Sequence, residues 1–286
     1  MLDLLKITND PELARRCDGL AGMRLFVDLE RIGKAERQAG RNTYISNHQI
    51  DDIGRIKSEL KHTRLMVRVN PLHDGTQAEV EAVLAQGLKQ GKGSEADLLM
   101  LPMFTSAQTL RRFIDIVAGR CPIVPLLETA DALACIEEWI SFEGIEEVYV
   151  GLNDLHISLG MRFMFEPLAC GMVDHAAAVT ARQGLRFGFG GMARMEEGLL
   201  PGRDVLAEHL RLGSHAVILS RTFAYHRRGD DTPFEDEIQA LRDTEIRLAS
   251  RTPEQVEADR VRIAALIMTV ADKLAQPAVP TPVPDV

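Results

Sequence analysis

The chain has 286 residues and carries 42 Asp and Glu against 33 Lys and Arg, for a net charge of −9. That balance excludes a general polyanion binder and makes nucleic acid and acidic membrane surfaces poor partners. A 45% hydrophobic share with 26% charged residues describes a soluble globular protein with a large core. The cysteines, Cys17, Cys121, Cys135 and Cys170, show no Cys-x-x-Cys spacing, so neither a zinc ribbon nor a disulfide framework is signalled. No run approaches the ~18 apolar residues of a spanning helix, and no basic leader with an apolar core opens the chain. These features predict reduced thiols and a cytoplasmic location.

In chain order, Leu2 to Thr8 predicts a short strand, and Asn9-Asp10-Pro11 opens a helix running to about Leu20. Met23 to Leu29 is a clearer strand that ends among Asp28, Glu30 and Arg31. Gly33 to Asn47 holds Lys34, Arg37 and Arg41 and reads either as a binding loop or lid or as a solvated surface loop. A helix from Gln49 to Lys61 follows, then a strand from Arg64 to Val69. Arg68 interrupts that strand just before Asn70-Pro71 and needs an anionic partner, either a substrate carboxylate or a protein one. Thr76 to Gln90 predicts a helix, broken by Gly91-Lys92-Gly93-Ser94; Asp97 to Leu101 is a strand, and Ser106 to Ala118 its capped helix.

Pro122 to Leu127 and Val148 to Gly151 are short apolar strands joined by a helix over Ala130 to Phe142, and each runs into a carboxylate, Glu128 or Asp154. Parallel strands in such a unit bring both acids to one rim of the sheet. Two readings stand. The acids share a divalent cation, or each favours the start of the helix that follows it. Asn153 to Leu159 predicts a short helical turn and Pro167 to Gln183 a longer helix. Leu185 to Gly191 is a strand with Gly188, Gly190 and Gly191, where backbone approaches a ligand closely. A helix over Arg203 to Leu212 and a strand from His215 to Ser220 complete the pattern.

Eight strands alternating with helices predict a closed parallel (β/α)8 barrel, the TIM barrel, with its site on the loops after the strands. Asp28, Glu30, Arg68, Glu128, Asp154 and the glycine cluster all fall at that end. The rival, an open doubly wound sheet, lacks a Gly-x-Gly-x-x-Gly after its first strand. The expected organisation is a barrel over 1–230, a C-terminal helical extension over 231–275 and a proline-rich disordered tail over 276–286. The extension breaks near Arg251-Thr252-Pro253, and its apolar positions, Ile238, Leu241, Ile263 and Ile267 among them, look for a partner surface.

Read together, Val27-Asp28-Leu29-Glu30, Val67-Arg68-Val69-Asn70, Leu127-Glu128-Thr129 and Gly151-Leu152-Asn153-Asp154-Leu155 carry a resemblance. In this order the chain resembles the hydroxy-oxo-acid aldolase and citrate lyase β-subunit superfamily of pyruvate/phosphoenolpyruvate-type barrels. The likeness covers about residues 20 to 225. It implies a metal-dependent carbon–carbon lyase acting on a small 2-oxo or hydroxy acid through a pyruvate-like enolate. Glu128 and Asp154 are then ligands of Mg²⁺ or Mn²⁺, and Arg68 is the catalytic residue that binds the oxo-acid or enolate oxygen. Asp28, Arg31, Gly151, Leu152, Asn153, Gly190 and Gly191 are the implied substrate-binding set. A trimer or hexamer is implied as well, with the C-terminal helices on a neighbouring subunit.

The chain departs from the aldolase branch at Arg31, where that branch carries an acid/base histidine. Asn70 leans toward the citrate lyase and malyl-coenzyme A lyase branch, so a lyase acting on a coenzyme A thioester is the alternative enzyme. An alternative of another class is a non-catalytic barrel that binds metal and oxo acid. Candidates for the base are a metal-bound water and Asp28. His48 is a possible acid/base group, whereas His156 reads as a structural hydrogen-bonding histidine. Arg194 reads as a mouth or surface arginine, and Cys121 and Cys170 as buried small hydrophobes.

Overall fold

The structure is a computed structural model and describes residues 1–37, 46–86, 96–223 and 233–275. Arg41, the end of the helix drawn to Gln90, the Gly91 to Ser94 break, the boundary near 230 and the tail lie outside the described residues. The strands are β1 (Asp3–Ile7), β2 (Met23–Asp28), β3 (Leu65–Arg68), β4 (Leu98–Leu101), β5 (Ile123–Leu127), β6 (Glu147–Val150), β7 (Arg186–Met192) and β8 (Ala216–Leu219). They pair in sequence order, all parallel, and β8 closes on β1. The predicted (β/α)8 barrel is therefore the observed architecture. Helices α1 (Pro11–Asp18), α2 (Lys34–Arg37), α3 (Ile50–Lys57), α4 (Thr76–Leu84) and α5 (Ala107–Val117) separate the first five strands.

Most strands are near-continuous apolar runs because both faces are covered. Alternate residues point into the barrel. Leu5, Phe26, Met66, Leu98, Met100, Val124, Leu126, Tyr149 and Ala216 form its inner core, distinct from the larger core between strands and helices. The same alternation carries Arg24-Phe26-Asp28, Met66-Arg68 and Leu126-Glu128 up the inner wall, so the polar residue ending each strand faces the barrel mouth.

Two expected helices are divided. The stretch after β5 is α6 (Ala130–Ala134) and α7 (Ile136–Trp139), interrupted at Cys135 with φ −105°. Trp139 is buried there and donates its indole N–H to the Ala132 carbonyl at 3.0 Å. After α8 (Leu152–Ser158), the stretch from Pro167 becomes α9 (Glu166–Ala169) and α10 (Met172–Arg182), separated by Gly171 at φ +76°. Cys170 lies at that break and is exposed, which corrects its reading as a buried hydrophobe; Cys121 is buried.

After α11 (Gly202–Arg211) and β8 come α12 (Phe234–Ala249) and α13 (Pro253–Ala275), with the expected break between them. Their apolar faces sit on this chain's own helices: α12 packs on α11, and α13 on α9 and α11. Phe234, Ile238, Leu241, Ile263 and Ile267 are buried in that contact, while Ile246, Val261, Met268 and Leu274 stay exposed. Arg262 ties α13 to Asp204 at 2.7 Å, and Arg194, buried after β7, lies 3.3 Å from Glu237 of α12. Among the described residues no helix is long and apolar enough to cross a membrane.

Candidate functional site

At the carboxyl end of the barrel a cavity of about 590 Å³ opens, with Leu126 and Tyr149 in its lining. That volume suits a small organic ligand. Asp28, His48, Arg68, Glu128 and Asp154 all border it, as do Gly151, Leu152, Asn153, Gly190 and Gly191. Arg31 does not.

Asp28 and Arg68 are register partners on β2 and β3. Their inward side chains meet in a bidentate pair: Arg68 Nε and Nη2 each donate to Asp28 at 2.8 Å. The protein carboxylate is thus the anionic partner that the strand arginine required. Two of the five guanidinium N–H groups are used this way, which leaves others for a ligand. Arg68 Nη1 also lies 3.4 Å from Glu30. These acids hold the Arg68 pKa above its already high ordinary value despite burial, so the side chain stays cationic.

Burial raises the Asp28 pKa, yet the Arg68 and Lys34 charges and hydrogen bonds overcome it and hold the carboxyl well below the usual range. A carboxylate so firmly ionised and triply engaged is a poor proton acceptor. Lys34 comes from α2, inside the segment read as a loop. It is buried, 2.8 Å from Asp28 and 3.3 Å from Glu30, four residues before it. Arg37, one turn on, contacts Glu30 Oε1 at 2.5 Å and Asp154 Oδ1 at 3.5 Å. The basic segment therefore turns at least two of its cations inward onto the acids of the rim.

Glu128 does not cap a helix. Thr129 does that for α6, accepting the Ala132 N–H, while Glu128 continues the inward face of β5. Glu128 Oε1 accepts the N–H of Met103, a residue at φ +56° in the loop after β4. A Cβ on Gly151 would stand 2.6 Å from Glu128 Oε2, so the glycine after β6 makes room for the acid. Burial, Asp154 and Glu30 together push the Glu128 pKa well above the ordinary value, against the opposing effects of Arg68 and the Met103 N–H. Asp154, buried in the first turn of α8, makes no side-chain cap either. Glu128 is thus not placed by a helix start, whereas Asp154 sits in the first turn of α8, where an acid also suits the helix N-terminus. Among the described residues, no three His, Cys, Asp or Glu side chains gather as a complete metal cage.

The remaining sequence candidates divide. His156 is buried and its Nδ1 donates to the Leu152 carbonyl one turn back, at 3.2 Å. Asn70 accepts the N–H groups of Arg31 and Ile32 at 2.8 and 3.0 Å and donates to Glu79 at 2.8 Å, so its amide organises the loop after β3. The β7 glycines have a partner in Tyr149. A Cβ on Gly188 would lie 2.7 Å from its ring, and its hydroxyl donates to Gly190 O at 2.6 Å and accepts from Ile218 N–H at 2.8 Å. The Tyr149 ring at the barrel centre thus accounts for Gly188, and the pairing of β7 with β8 shifts register between Gly188 and Gly191.

No family model matches the chain, and no curated protein sequence matches it. Solved structures do. The HpcH/HpaI aldolase from Desulfitobacterium hafniense aligns over 88% of this chain and 94% of its own, with 17% identity and a TM-score of 0.58. The citrate lyase beta subunit from M. tuberculosis, solved with oxaloacetate and magnesium, aligns over 85% and 96% at 16% identity with a TM-score of 0.55. A protein named CitE from Mycobacterium tuberculosis, in complex with magnesium, acetoacetate and coenzyme A, aligns over 92% and 86% at 15% identity with a TM-score of 0.56. Across nearly the whole length of each, this chain shares the fold of the aldolase and citrate lyase barrels.

Proposed function

We propose that the protein is a metal-dependent carbon–carbon lyase of the aldolase type, acting on a small 2-oxo or hydroxy acid. The observation that carries this reading is Glu128: a carboxylate buried at the barrel mouth, opposed by Asp154 and Glu30, and open to the same cavity as Arg68. A buried acid among acids calls for a cation or a proton.

Two carboxylates from separate strand ends fit magnesium or manganese, which bind hard oxygens and keep positions for water and substrate. Glu128 and Asp154 would hold the ion. When bound, it supplies a Lewis acid for a 2-oxo acid. The chain's own part is orientation and charge. Asp28, held in turn by Lys34, fixes the Arg68 guanidinium at the wall of the cavity that would receive the carboxylate or enolate oxygen. Leu126 and Tyr149 close the bottom of that cavity and keep water from reaching through the barrel.

The three aligned structures support this choice through the magnesium, oxaloacetate and acetoacetate named for two of them. Asn70, which leaned toward a coenzyme A thioester, has its amide occupied by Arg31, Ile32 and Glu79, but one aligned structure is named with coenzyme A, so a lyase on a coenzyme A thioester stays the second reading. Solvent exchange of the pyruvate methyl protons, followed by NMR with magnesium or manganese, is the test. Metal-dependent exchange is expected. A folded protein that binds the metal yet gives no exchange above the metal-only control overturns the reading.

A further inference from the structure

His48 precedes α3, and its ring is buried in the cavity wall. Its Nδ1 lies 3.1 Å from the backbone nitrogen of Asp28. A peptide N–H can only donate, so Nδ1 is the acceptor and the proton of the neutral ring is on Nε2. Among the described residues Nε2 makes no hydrogen bond, and it is not among the fully buried polar atoms that lack one. The ring that carries this N–H borders the cavity.

The backbone around this ring is held in several places. Ser46 Oγ donates to the Asp28 carbonyl at 2.9 Å and accepts the His48 N–H at 3.1 Å. Arg31 Nη2 donates to the His48 carbonyl at 2.8 Å. Asp52 accepts the next N–H, that of Gln49, at 2.8 Å. Arg31 thus occupies the place after Asp28-Leu29-Glu30 and, from outside the cavity, clamps the peptide that carries the imidazole.

We propose that His48 is a neutral hydrogen-bond donor of this cavity, presenting Nε2–H to an oxygen of the bound oxo acid, with Arg31 as its positioning residue. The assignment rests on the oxo-acid reading above. A neutral imidazole can polarise a carbonyl or hold an enolate oxygen without giving up its proton. Burial pushes the His48 pKa below its usual value, while the facing charges of Asp28 and Asp52 raise it and that of Lys34 lowers it. The net direction favours the neutral ring at neutral pH. The Asp28 N–H opposes a second ring proton at Nδ1 as well.

The test uses the full-length protein with magnesium and oxalate, a planar mimic of a pyruvate enolate. Long-range proton–nitrogen NMR of the histidine rings, with His48→Gln assigning the signal, should show a neutral Nε2–H tautomer at neutral pH. That signal should move when oxalate binds. Calorimetry should show oxalate affinity reduced about tenfold in His48→Ala and largely restored in His48→Gln, whose amide can donate. Magnesium affinity should be unchanged in both. Arg31→Ala should shift the His48 signal and weaken oxalate less than His48→Ala does.

A charged ring at neutral pH, an Nδ1–H tautomer, or oxalate binding that leaves the His48 signal unmoved overturns the assignment while the oxo-acid reading stands. Failure of the wild-type protein to bind oxalate overturns the oxo-acid reading itself, and the role of His48 with it. Should His48→Ala misfold, the wild-type tautomer and the oxalate shift still decide the matter.

Discussion

The two ends of the barrel are both charged and built differently. At the amino end, Arg24 and Arg186 face Asp3 and Glu147, with Arg24 2.7 Å from Glu147 and Arg186 2.6 Å from Asp3. Two cations meet two anions there, and Glu147 is fully buried. At the carboxyl end, Lys34, Arg37 and Arg68 pair with Asp28, Glu30 and Asp154, Lys6 and Arg221 also border the cavity, and Glu128 makes no ion pair among the described residues. Burial, Asp154 and Glu30 push the Glu128 pKa up. Inward-facing charge at the amino end forms a plug of closed pairs, whereas at the carboxyl end Glu128 is left without one, and the proposed function gives that position to a cation.

Breaking the plug should give the largest effect. Arg24→Ala leaves Glu147 without its nearest cation, and urea unfolding should show a loss of about 3–5 kcal/mol. Magnesium affinity, measured on the fraction still folded, should not change. A comparable loss of magnesium affinity would remove the distinction between the ends.

Glu128→Gln should do the reverse. Metal-dependent pyruvate exchange should fall about a hundredfold, and calorimetric magnesium binding should weaken with it. Thermal stability without metal should hold or rise, because an acid that burial and its acidic neighbours disfavour is replaced by a neutral amide. A large fall in stability would make Glu128 a structural acid like Glu147.

Asp28→Asn tests the ion pair that orients Arg68. The native Asp28 pKa lies below the unfolded one, so its contribution is full above the unfolded value of about 4 and is lost as pH falls through the folded value. The variant should be less stable by about 2 kcal/mol at neutral pH, and the gap between variant and wild type should narrow on acidification. A gap independent of pH would sink the pairing.

The smallest effect belongs to Arg37, partly exposed and bound to both Glu30 and Asp154. Its charge opposes a second cation at Asp154. Arg37→Gln should therefore tighten magnesium binding, by about fivefold on calorimetry, the scale of a partly screened pair. Weaker binding would show that Arg37 supports the metal position rather than competing for it.

Much of this was readable along the chain. Apolar runs that stop at Asp28, Arg68, Glu128 and the Gly151 to Asp154 turn locate the strand ends, because parallel strands covered on both faces need long apolar stretches. Breaks were harder. The helix predicted over 130–142 divides at Cys135, where no Gly or Pro announces it, whereas Gly171 stood in view inside the predicted 167–183 helix. The segment from Gly33 leaves a binding loop and a solvated loop both open in sequence, because a linear reading does not show which acids Lys34 and Arg37 meet. Their acids lie on other turns and strands.

Residue order and side-chain alternation by themselves determined the eightfold β/α period, the rim on which the functional groups gather, and the carboxylates that reach it. Local chemistry suffices for these, since strand direction and a two-residue repeat set which side chain faces inward. Only the closed barrel decided which charges pair. Register across β2 and β3 joins Asp28 to Arg68, a peptide N–H sets the His48 tautomer, and Tyr149 claims the space left by Gly188. Those outcomes depend on distances between residues tens of positions apart, which closure of the sheet creates and no local pattern encodes.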